Sequence, residues 1–131
     1  MRQKSHFSAA PLAIFLFLSA SLFAHHGTGI SYDMGKTVAL KGVVTEFAWS
    51  NPHCQIYFDV KDDSGNVIHW ATELGSPGVL RNAGWNRNKI KPGDEVTITV
   101  HPSKVGAPVG VLYKVLLPDG KEWNSKGQVV E

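Results

Sequence analysis

Residues 75–96, GSPGVLRNAGWNRNKIKPGDEV, carry the one helical signal in a chain whose pattern is otherwise β, and the place of that signal decides the fold. Ser76 is of the type that caps a helix N-terminus. Pro77 suits the first helical position, where its missing N–H has no partner to lose, and Gly84 suits the stop after Val79, Leu80 and Ala83. Lys91-Pro92-Gly93-Asp94 then makes a turn that launches a strand. Upstream, Cys54, Ile56, Phe58 and Val60 alternate with Gln55, Tyr57, Asp59 and Lys61. After the loop Asp62 to Asn66 (DDSGN), Ile68, Trp70, Thr72 and Leu74 resume the inward set. Further back, Val38, Leu40 and Val44 alternate with Lys41 and Thr45. The parity of the apolar residues slips before Phe47, which predicts a bulge or strong bend ahead of Asn51-Pro52. Downstream come Val96, Ile98 and Val100, then Val109 to Leu117, the turn Pro118-Asp119-Gly120 and a polar tail. Three strands, a short helix and two more strands predict a mainly β, five-stranded OB-like barrel with the helix between strands three and four. A helix elsewhere in that order would favour a sandwich.

The start of the chain reads as a secretory signal peptide. Arg2 and Lys4 precede an apolar run, Pro11 to Leu18, and small residues follow at Ser19, Ala20, Ser21 and Ala24. The run is shorter than the about 18 residues a membrane-spanning helix needs. Cleavage after Ala24 is favoured over Ala20, because the chain turns polar at that point. The expected layout is a signal peptide over 1–24, an extended arm over 25–36, the barrel over 37–123 and a tail over 124–131, with the mature protein periplasmic or secreted. Loss of Arg2 and Lys4 takes the formal charge from +2 to zero, so nothing in it argues for nucleic acid as a partner. Cys54 is the single cysteine, which rules out an internal disulfide.

The chain presents His25-His26, Trp49-Ser50-Asn51-Pro52-His53, Glu73-Leu74-Gly75-Ser76-Pro77, Gly84-Trp85 and Lys91-Pro92-Gly93-Asp94. In this combination it resembles an uncharacterised family of small bacterial exported proteins, a domain of unknown function. The resemblance implies export and a small β-barrel, and it implies no activity.

Function therefore rests on the residues. No nucleophile elbow, phosphate loop, dinucleotide fingerprint or H-E-x-x-H pattern occurs, and Cys54 points inward, so a non-enzymatic binding protein is expected. Cleavage after Ala24 would make His25 the first residue, with a free amine (pKa about 8) beside an imidazole (about 6.5), both neutral at little cost near pH 7. Amine and ring together can chelate one ion, a nitrogen-rich arrangement that suits copper(II). Partners would come from the barrel. With Lys61 opposite Val67, Gln55 falls opposite Glu73, and His53 lies beside Glu73 on the outward face. The expected metal set is His25, His26, His53 and Glu73, with copper as the cofactor. The plainer readings are a mobile His tail, a His53 that fastens a bulge, and a Glu73 that serves the backbone opening the helix. The rival from another class is a metal-free module for a peptide, glycan or protein partner, with Trp49, Tyr57 and Trp85 as its aromatic surface. His69 and Asp59 read as an exposed pair of little worth, and His101 has no evident partner.

Overall fold

The computed structural model describes residues 31–131. Strands β1 (Val38–Ala48), β2 (Gln55–Lys61) and β3 (Val67–Glu73) are followed by the helix α1 (Pro77–Asn82), then β4 (Glu95–Pro102), β5 (Val109–Leu116) and a short β6 (Glu122–Asn124). Neighbours run β3-β2-β1-β4-β5, and a parallel β3–β5 contact closes the barrel. That closure, with one short helix between β3 and β4, is the OB-like architecture expected from the order of elements.

β1 shows how one strand serves both halves. It pairs with β4 over Val38–Val43 and with β2 over Val43–Ala48, and its register slips between Val44 and Glu46. This is the bulge that the parity break predicts. At the handover a Cβ on Gly42 would sit 2.5 Å from the carbonyl oxygen of Asp59, so only glycine lets the two backbones approach this closely. The β2–β3 hairpin has the expected register, from Lys61↔Val67 to Gln55↔Glu73. Its loop is fastened by Asp62, whose carboxylate accepts from the Ser64 and Asn66 backbone N–H groups. These bonds favour the ionised form and pull the Asp62 pKa below its ordinary value, the Asn66 backbone bond contributing most.

The core gathers Ile56, Phe58, Leu80, Ile98, Val100, Leu112 and Val115, all fully buried. α1 forms as its sequence dictates. Ser76 Oγ accepts from Val79 N–H at 3.2 Å, Pro77 opens the helix, and Gly84 leaves it at φ +87°. Its Leu80 joins the barrel core, a burial worth about 2 kcal/mol. The inward set of β3 is only partly realised. Thr72 and Leu74 are buried, but Ile68 is 38% exposed, because the β3–β5 pairing spans only Ala71–Glu73 and leaves the start of β3 outside the closure.

Beyond the fifth strand the chain folds back. β6 pairs with β5, and Val129 returns to bridge Trp123, so the segment read as a tail is a small hairpin. The cause is a turn built by Asn124, whose Oδ1 accepts from the Lys126 and Gln128 N–H groups, with Gly127 at φ +76°.

Candidate metal centre

The β2–β3 ladder continues past its last strand pair. Leu74 N–H donates to Cys54 O and Cys54 N–H to Gly75 O, each at 3.0 Å. This extension holds His53 beside the end of β3, and its Nδ1 lies 3.7 Å from Glu73 Oε2. The separation is too long for a hydrogen bond, which needs about 2.7–3.2 Å. It fits two ligands of one ion, since bonds of about 2.0–2.2 Å place two donors roughly 3–4 Å apart. His53 is 49% exposed and Glu73 23%, so the pair is open to solvent from one side.

Both residues line a cleft of about 570 Å³ together with Gly75, Ser76, Val111 and Lys126. Its far wall is the C-terminal hairpin, docked by a 2.7 Å bond from Gly75 N–H to Ser125 O. A Cβ at Gly75 would stand 3.0 Å from that same oxygen, so the Gly-Ser-Pro stretch serves the docking as well as the start of the helix. The sequence reading missed this wall, though the turn chemistry of Asn124 and Gly127 signals it.

The arm approaches the same end. Asp33 N–H donates to Pro102 O at 2.9 Å, Lys104 N–H donates to Ser31 O at 3.1 Å, and Tyr32 bridges Ser103. Burial raises the Tyr32 pKa above its ordinary value, and the negative charge of Glu73 raises it further, which places the phenol within the field of that carboxylate. His25 and His26 lie outside the described residues. Among the described residues no group of three or more His, Cys, Asp or Glu side chains is gathered for a metal.

The remaining candidates separate. Trp85 is 3% exposed and packs edge-on against Trp123 and Phe47, so it belongs to the core and offers no face to a ligand. Trp49 is partly buried, edge-on to Phe47. Tyr57 is exposed, with its hydroxyl donating to Gln55 Oε1 at 2.8 Å. His69 Nδ1 donates to Asp59 Oδ1 at 2.6 Å on an exposed surface. His101, for which the sequence showed no partner, donates from Nδ1 to Lys36 O at 2.8 Å and stands edge-on to Tyr113. Only the fold reveals that contact, because the two residues are 65 positions apart. Cys54 is buried, and burial raises its thiol pKa.

Barrel, arm and cleft define a small OB-like protein with a solvent-facing His–Glu pair at one end. The chain matches a family of unknown function (DUF6152) over residues 14–112 and belongs to that family. No curated protein and no solved structure matches it.

Proposed function

We propose that this protein is an exported, non-enzymatic binder of a transition metal, copper(II) by preference, held by an N-terminal histidine clamp closed on the barrel. The observation that carries this reading is the His53–Glu73 pair, two ligand-type side chains 3.7 Å apart at a cleft. The amine and ring of His25, the ring of His26 and the imidazole of His53 supply nitrogen, and Glu73 supplies oxygen, a donor set suited to copper. His26 is six positions before Tyr32, so at about 3.3–3.6 Å per residue it is tethered within roughly 20 Å of a point that feels the charge of Glu73. The metal-free reading is the weaker, because Trp85 is buried and Trp49 partly so, which leaves Tyr57 as its exposed aromatic.

The test is copper(II) titration of protein exported so that its N-terminus forms naturally, checked by intact mass. Tight binding is expected, and three extra glycines ahead of His25, which separate the amine from the histidines without placing a histidine third, are expected to weaken it by at least tenfold. Equal affinity with and without the three glycines would sink the clamp.

A further inference from the structure

The outer face of the barrel carries another concavity, where β1 passes from β2 to β4 at Gly42. Its volume is about 820 Å³, larger than the cleft of His53 and Glu73, and the two share no residue. Register builds it from two neighbouring rows of side chains. In the first, Val67 stands opposite Lys61, and Lys41 stands opposite Thr97, which in turn faces Leu116. In the second, two positions along each strand, His69, Asp59, Val43 and Glu95 follow one another across β3, β2, β1 and β4. Positions two apart on a strand share a face, so both rows point the same way. Val67 is 49% exposed and Val43 43%, and no residue of α1 lines the groove. Val96 and Leu117 reach it from the core.

The charges of the lining divide unequally. Asp59 already accepts from His69 Nδ1 at 2.6 Å, whereas Lys41 and Lys61 make no ion pair with any described residue. Glu95, the remaining charged residue of the lining, stands on β4 in the second row. Lysine stems lie along apolar surface and keep their ammonium groups at its edge, so the first row offers two cations beside an apolar trough. We infer that this groove binds a single-chain fatty acid, its carboxylate held by Lys41 and Lys61 and its acyl chain laid along Val96, Leu116 and Leu117. An ammonium–carboxylate contact is a charge-assisted hydrogen bond, about twice as strong as a neutral one. A concave face is not filled by its own twofold copy, whereas a slender chain fits it. The strands run β2-β1-β4-β5 across the groove. Three spacings of about 4.8 Å give roughly 14 Å from Lys61 to Leu116, the reach of a medium-length acid such as decanoate.

Decanoate, titrated by calorimetry into the metal-free protein below its micelle concentration, should bind. Its amide shifts in nuclear magnetic resonance should centre on Val43, Val67 and Leu116. Affinity should rise about twofold to fourfold with each methylene from hexanoate to decanoate, fourfold being the yield of full burial. Lys41→Gln combined with Lys61→Gln should weaken decanoate about tenfold and leave decanol unchanged. Val67→Asp should weaken both ligands, and His53→Ala should alter neither. All four positions are exposed, so the variants are expected to keep the fold. Absence of binding, shifts centred elsewhere, or decanoate affinity unchanged in the lysine variant would overturn the inference. So would a loss of decanoate in His53→Ala, which would move the acid to the other cleft. A dimer in sedimentation equilibrium that Val67→Asp dissolves would overturn it as well, by giving the groove to a second copy.

Discussion

His53 and Glu73 are 20 positions apart, and a ladder that runs two bonds beyond the hairpin proper brings them together. Their approach follows from register alone. A slip of one residue would turn one partner inward, which is why a pairing legible in the sequence carries weight for the site. Both side chains are accessible, so truncating them is expected to leave the fold intact. His53→Ala should lower copper(II) affinity by at least tenfold and remove one nitrogen from the superhyperfine pattern in electron paramagnetic resonance. Glu73→Gln should weaken binding less and keep the nitrogen count. If neither variant changes affinity or spectrum, the pair is not part of a metal centre. The same scale shows what a sequence leaves hidden. Trp85 follows a helix stop and reads as part of an aromatic binding surface, yet it is buried because Trp123, from a segment 38 positions later, packs across it. His101 likewise looks solitary until β4 brings it beside the arm.

At the level of elements, local chemistry predicts local structure well. The cap at Ser76, the stop at Gly84, the hairpin register and the bulge in β1 were all legible, because each depends on residues within about ten positions of one another. The C-terminal hairpin was not, since its polar sequence has no alternating pattern and it docks through β5, Trp85 and Gly75, all distant in the chain. That docking gives a direct test. Gly75→Ala forces a Cβ to 3.0 Å from Ser125 O and 3.2 Å from Val79 Cγ1, and the gain of about 0.4–1 kcal/mol from a less flexible unfolded chain offsets only part of that crowding. Thermal and urea unfolding should show a loss of about 1–3 kcal/mol. The Gly75 and Val130 amides should lose exchange protection ahead of those in the barrel, because they bond to Ser125 O and Glu122 O. Unchanged protection at both would mean that the hairpin holds without the contact at Gly75.

Across the whole molecule, the barrel is a rigid frame whose one end collects an arm, a cleft and a hairpin from three distant parts of the chain. The β3–β5 closure at Ala71–Glu73 sets that end, since it fixes Glu73 against Val111 and leaves the start of β3 paired with β2 alone. Cleavage after Ala24 would leave 107 residues (131 less the 24 removed), a size at which each kcal/mol of stabilisation raises the melting temperature by about 4 °C. A ligand that binds only the folded state adds RT ln(1 + [L]/Kd), about 2.7 kcal/mol when free ligand is 100-fold above Kd. Copper(II) at that excess is therefore expected to raise the melting temperature by about 10 °C in protein that begins at His25. The rise should shrink by at least half when three glycines precede His25, because the amine is then parted from the histidines, no histidine stands third, and His53 and Glu73 persist. Scanning calorimetry with and without copper reads the difference directly. The barrel alone predicts no such dependence on the first residue, so an equal rise in both forms would place the ion elsewhere on the molecule.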